Sequence, residues 1–277
     1  MNRVTTFGAI VVAMLAAVPG ITLADMDAAT EAKLADVLQG PQRSAGNKAR
    51  DSWRHPLETL KFFGVNQAMT VMEVWPEAGW YTEVLAPLMR DSGTFIAADF
   101  DPEASAGAKK MVENLKSKLE ADPTHYDQVK VGVLFPMTKK LSPAPAGSVD
   151  MVLTFRNIHN WMARNLQGDM FASFYTVLKP GGYLGVVEHR AKTDQPQDPK
   201  AASGYVREDF AIAAAEAAGF KLVAKSEINA SPKDTKDHSN GVWSLPPTYQ
   251  GGDTDRAKFT AIGESDRFTL LFQKPAE

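Results

Sequence analysis

From residue 70 onward, short and continuously apolar runs alternate with stretches whose apolar residues recur at helical spacing. The runs are Thr70–Trp75, Thr94–Asp99, Val129–Phe135, Val149–Phe155, Tyr183–Val187, Phe220–Ile228 and Phe268–Phe272. The helical stretches are Tyr81–Arg90, Pro102–Leu119, Met170–Leu178 and Arg207–Ala218, the last closed by Gly219. Strands that are apolar along their whole length are buried on both faces, and strands alternating with helices build a mostly parallel sheet. The pattern predicts an α/β fold: a Rossmann-like, seven-stranded, mostly parallel sheet with helices on both faces over residues 70–277.

The flanks read differently. Arg3, the apolar run Phe7–Val18, the helix-breaking Pro19-Gly20 and the small residues of Thr22-Leu23-Ala24 have the order of a secretory signal peptide over residues 1–24, with cleavage expected after Ala24. Twelve apolar residues are too few to span a bilayer, so no stable membrane insertion is expected after cleavage. Residues 25–69 are expected to form a helical extension. Its cluster Arg43, Lys48, Arg50, Asp51, Arg54 and His55 reads first as a solvated face with local ion pairs, and second as a cover over the site that binds an anionic substrate. The stretch at about 229–266 is longer than an ordinary connection, and Trp243, Leu245, Pro246 and Pro247 give it enough apolar material for an ordered lid.

A net charge of −3 offers no basic surface for nucleic acid, so the expected partner is a small-molecule substrate. With no cysteine, disulfides, thiolate metal sites and thiol nucleophiles are excluded. Together with the leader, the sequence points to the periplasm or to secretion. In the loop of residues 229–266, Asp234, Asp237 and His238 are too poor a donor set for a metal site, and none is expected.

In an open parallel sheet, ligands bind beyond the carboxyl ends of the strands where the strand order reverses. That rule selects the loop Glu73–Tyr81, the acid Asp99, the stretch Phe155–Trp161 and the triplet Glu188-His189-Arg190. His159 and His189 are the candidate general bases, because imidazole titrates near neutrality. Arg156, Asn157 and Trp161 are candidates for holding an acceptor.

These same stretches resemble the motifs of class I S-adenosylmethionine-dependent methyltransferases. Val71-Met72-Glu73-Val74 followed by Gly79-Trp80-Tyr81-Thr82-Glu83-Val84-Leu85 is similar to their first motif, and Phe95-Ile96-Ala97-Ala98-Asp99 to their second. Val149-Asp150-Met151-Val152 with Asn157-Ile158-His159 resembles the fourth motif and the segment after it, and Val177–Leu184 the turn before strand five. With its Trp75-Pro76 variant of the first motif, the chain resembles a family of exported bacterial predicted methyltransferases. The resemblance implies S-adenosylmethionine as cofactor, an antiparallel last strand, and methyl transfer to a small-molecule acceptor. The alternative is a non-catalytic ligand-binding protein on the same scaffold. It further implies a cofactor site of Glu73, Gly79, Tyr81, Asp99, Arg156 and Asn157, with Asp99 on the ribose hydroxyls and Glu73 toward the cationic end. Trp75, Pro76 and Glu77 depart from the small residues the first motif expects, adding bulk, removing an N–H donor and adding negative charge. The fingerprint Gly-x-Gly-x-x-Gly of nicotinamide enzymes is absent after the first strand, which argues against a dehydrogenase.

Overall fold

A computed structural model describes residues 25–276; the expected signal peptide, residues 1–24, lies outside them. Four helices come first: α1 (Ala28–Gln39), α2 (Ala45–Lys48), α3 (Asp51–Arg54) and α4 (Pro56–Phe62). They are followed by β1 (Thr70–Val74), α5 (Thr82–Met89), β2 (Thr94–Asp99), α6 (Ala106–Ala121), α7 (Pro123–Tyr126), β3 (Lys130–Val133) and β4 (Val149–Phe155). The second half holds α8 (Ile158–Met162), α9 (Gln167–Val177), β5 (Leu178–His189), α10 (Glu208–Ala217), β6 (Lys221–Ser226), α11 (Arg256–Ile262) and β7 (Arg267–Gln273). Local chemistry sets the helix starts: Asp27 accepts from the Thr30 N–H at 2.6 Å, and Ser105 caps α6 through Ala108 N–H at 3.1 Å.

The strand order is β3-β2-β1-β4-β5-β7-β6, with β7 antiparallel to both neighbours and every other pair parallel. The order reverses between β1 and β4, which makes the space beyond their carboxyl ends the natural ligand crevice. Side chains alternate across the sheet. Met72, Val74 and Ile96 face one apolar layer with Trp161, Phe171 and Phe174; Val71 and Phe95 face another with Val84, Leu85 and Leu88. Leu34, Leu38, Leu60 and Phe63 belong to that second layer, so the N-terminal helices share the sheet's core.

Two details depart from the pattern read in the sequence. Lys179-Pro180-Gly181-Gly182 does not end the helix in a free turn; it loops out as an irregularity inside β5, with Val149 opposite Leu178 and Met151 opposite Tyr183. The stretch after β4, which carries no helical pattern among those read in the sequence, includes the short helix α8.

Residues 229–266 are ordered by a buried polar cluster. Asp234 accepts from the Tyr205 hydroxyl at 2.9 Å and the Asp266 N–H at 2.9 Å, and lies 2.8 Å from His238 Nε2. Gly241, at φ 55°, presses on the Ser203 carbonyl, where a Cβ would come within 2.0 Å of the oxygen.

Candidate active site

A cavity of about 310 Å³ opens at the carboxyl ends of β1, β4 and β5. The loop after β1 (Pro76, Glu77, Ala78) and Trp80 form one wall, and Arg156, His159, Asn160 and His189 the floor. Val242, Trp243, Pro246, Pro247 and Thr248 from the long connection close it above, and Arg50, Arg54 and Glu264 close one end.

His159 sits in the first turn of α8, with its ring edge-on to Trp243 at 6.0 Å between centroids. Its Nδ1 is 3.1 Å from Glu188 Oε1. Glu188 is fully buried, and its oxygens also accept from the backbone N–H groups of Ile158 (2.6 Å), His159 (3.3 Å) and His189 (2.8 Å). A carboxylate only accepts, so this contact favours the tautomer with the proton on Nδ1, which leaves the Nε2 lone pair toward the cavity. His189 is 5.3 Å away between ring centroids, with Nδ1 2.5 Å from Ser265 Oγ. Burial, then the neighbouring His159, Arg156, Arg267 and Arg54, hold its pKa well below the usual imidazole range, so it stays neutral.

The basic cluster expected on a solvated face is not one. Arg43 and Arg54 are buried, and Arg43 spends its guanidinium on Asp51 at 2.7 Å. Glu264, at the far end of the chain, gathers Arg50 Nε at 2.6 Å, Arg54 Nε at 3.0 Å and Arg267 Nη1 at 3.1 Å. Burial works against ionising Glu264, but Arg54, Arg267 and Arg50 hold its pKa down to about 2. Separations of up to 214 positions keep this pairing out of reach of any local sequence pattern.

The remaining expected site residues lie one layer deeper. Glu73 is buried, accepts from Thr82 Oγ1 at 2.7 Å, and has its pKa raised to about 7 by burial. With Tyr81 and Arg156 it lines a small cavity of about 30 Å³, room for a water. Tyr81 is buried and stacks on Phe155 at 3.5 Å between centroids. Gly79, at φ 74°, closes the turn onto the Pro76 carbonyl at 2.8 Å, which explains the glycine by turn geometry. Asn157 spends its amide nitrogen on the Val74 carbonyl at 2.9 Å. Trp161 is a core residue, fully buried against Phe171 and Phe174, and not an acceptor contact.

Asp99 and Trp75 end adjacent strands. Asp99 Oδ1 accepts the Phe100 N–H at 2.8 Å, while Oδ2 is buried with no partner. Burial raises its pKa to about 6, and nearby Glu77 adds to the rise. Trp75 takes a left-handed backbone at φ 46°, and its indole lies flat on Phe100 with centroids 4.5 Å apart. Its Nε1 donates to the Leu134 carbonyl at 2.8 Å, bridging to the segment that follows β3.

Residues 77–186 match the model of the methyltransferase domain family. The chain shares its fold with S-adenosylmethionine-dependent methyltransferases of known structure. Its fold is similar to that of an S-adenosylmethionine-dependent methyltransferase from Aquifex aeolicus, at 17% identity over 88% of this chain and 98% of that one, with a TM-score of 0.54. It is equally similar in fold to the 4+2 cyclase SpnF, at 16% identity over 86% of each chain, with a TM-score of 0.55. No curated protein matches the sequence.

Tested against the cofactor of that domain, the residues give a divided answer. The orphaned Asp99 Oδ2 suits a ribose hydroxyl, and the buried Glu73 is an acid of the kind that pairs with a cationic group. The space between the ends of β2 and β3, however, is filled by the Trp75 indole, 3% exposed among Phe100, Phe135 and Trp161. With the ring there Asp99 is 2% exposed, so an adenosyl group would reach it only if the indole moved. The fold therefore holds one open cavity, beside His159 and His189, and a crevice closed by Trp75.

Proposed function

We propose that the protein is an S-adenosylmethionine-dependent methyltransferase whose small-molecule acceptor binds in the cavity floored by His159. The observation that carries this reading is the Glu188–His159 pair, an imidazole fixed in one tautomer at the sheet's switch point inside a methyltransferase domain. S-adenosylmethionine, when bound, supplies an electrophilic methyl group on a sulfonium. His159 Nε2 takes the proton of an acceptor hydroxyl or amine, and Glu188 steadies the imidazolium that results. Neutral His189 serves as a hydrogen-bonding wall. Trp243 and its prolines exclude water from the acceptor. Cofactor uptake requires the Trp75 indole to leave its place on Phe100. The left-handed backbone at Trp75, a conformation costing about 1–3 kcal/mol for a bulky residue, favours such a rearrangement. We place the mature enzyme outside the cytoplasm, beginning at Asp25 after loss of the leader, which N-terminal sequencing of the exported protein would check.

One observation favours a second reading, a ligand-binding protein on the same scaffold: the crevice filled by Trp75. A fold likeness to SpnF, a cyclase, is a reminder that this scaffold does not dictate methyl transfer. Calorimetric titration with S-adenosylmethionine and S-adenosylhomocysteine separates the two. Binding by the wild-type protein, abolished by Asp99→Ala, supports the enzyme. No binding at millimolar cofactor by either the wild type or Trp75→Gly leaves the second reading.

A further inference from the structure

The cavity carries more positive charge than its own residues neutralise. Arg50, Arg54 and Arg267 share the single carboxylate Glu264, and Arg156 has no ion-pair or side-chain hydrogen-bond partner among the described residues. Arg54 is 3% exposed, lies over the Trp80 ring at 4.7 Å, and uses only Nε on Glu264. Its two terminal nitrogens make no hydrogen bond, although the residue lines the cavity. Burial, followed by Arg156, pulls its pKa well below the ordinary guanidinium value, with Arg50 and Arg267 acting in the same direction. Buried cations left this way gain from a counter-anion, and planar guanidinium groups suit carboxylates and phosphates best.

A cation is the competing occupant, because His159, Glu188 and His189 bring one ligand atom each within 4.8 Å of one another. Two facts turn it away. Both Glu188 oxygens are engaged by N–H donors, and Arg156, Arg267 and Arg54, whose charges act on His189, repel a positive ion. Glu77 on the opposite wall is the other acid lining the cavity, and it influences Asp99.

We infer that the cavity binds an organic anion, its carboxylate or phosphate held by Arg54 and Arg156 and its flat apolar body lying against Trp243 and the Pro246-Pro247 wall. As the acceptor class for methyl transfer the inference rests on the proposed function; as a statement about binding it does not.

The test is titration of the purified protein with benzoate, phenyl phosphate and neutral benzamide, read by calorimetry and thermal shift. At least one anion binds at millimolar concentration or better, benzamide binds at least about tenfold more weakly, and added chloride weakens the anion. Arg156→Gln, checked for folding by circular dichroism, loses about tenfold in anion affinity, the loss expected when one charge-assisted pair goes. Benzamide binding as well as benzoate, an Arg156→Gln protein that binds anions like the wild type, or no anion binding at millimolar concentration would overturn the inference. Anion binding without S-adenosylmethionine binding leaves it standing and removes the methyltransferase reading; the reverse result removes the inference alone.

Discussion

Glu188 holds His159 by its ring and by its backbone at once: Oε1 lies 3.1 Å from Nδ1, and Oε2 accepts the His159 N–H at 3.3 Å. The imidazole is thereby fixed in both position and tautomer before any ligand arrives. His159→Gln keeps a donor for Glu188 but has no basic nitrogen. It should fold, melt close to the wild type, and lose about 100-fold or more in kcat with a flattened pH profile. Steady-state kinetics across pH would check this; an unchanged kcat would remove His159 from the chemistry.

Trp75→Gly should separate stability from cofactor uptake. Losing the indole from its contacts with Phe100, Phe135 and Trp161 should cost about 3–5 kcal/mol, less whatever the relieved backbone at φ 46° returns. The vacated space should bind S-adenosylmethionine at least about tenfold more tightly than the wild type, since no ring has to be displaced. Urea denaturation and calorimetry read the two effects independently.

Glu264→Gln should strongly destabilise the protein. It leaves buried Arg54 and Arg267 and half-buried Arg50 around a neutral amide, and breaking a buried ion pair from one side typically costs about 3–5 kcal/mol. The carboxyl's pKa of about 2 lies below the ordinary 4.5, so its contribution is complete above the unfolded value and is lost as pH falls from 4.5 toward 2. The acid limb of wild-type stability should therefore be absent or shallower in the variant.

Asp99 has the opposite sign. Its native pKa of about 6 exceeds the ordinary 3.8, so between these values the folded state holds the proton that the unfolded state has released. Stability falls as pH rises through that window, and the penalty stays constant above it. Asp99→Asn should remove the penalty. Relative to wild type the variant should gain up to about 3 kcal/mol between about pH 4 and pH 8, measured by denaturant unfolding at each pH.

The sheet was legible because burial on both faces leaves long apolar runs. Thr94–Asp99 and Val149–Phe155 are strands over the bounds read from the sequence. The expected Val129–Phe135 contracts to Lys130–Val133, since Phe135 is drawn away into a turn opened by Pro136. The switch-point rule then places Glu73, Asp99, Arg156, His159 and His189 at one edge of the sheet from sequence alone. It says nothing of Glu188 as the partner of His159, because a carboxylate at a strand end looks the same whether it meets a ligand or a neighbouring loop.

The amino-acid sequence by itself determined the α/β alternation, the crevice at the reversal of strand order and the chemical types gathered there, since apolar periodicity and turn residues act over a few positions. Only the tertiary structure decided which way the Trp75 ring turns and that Arg50 and Arg54 meet Glu264 more than 200 positions away. Ring orientation depends on the cavity that distant Phe135 and Trp161 leave open, and ion pairing depends on which charges are buried together, and neither quantity exists until the chain has closed.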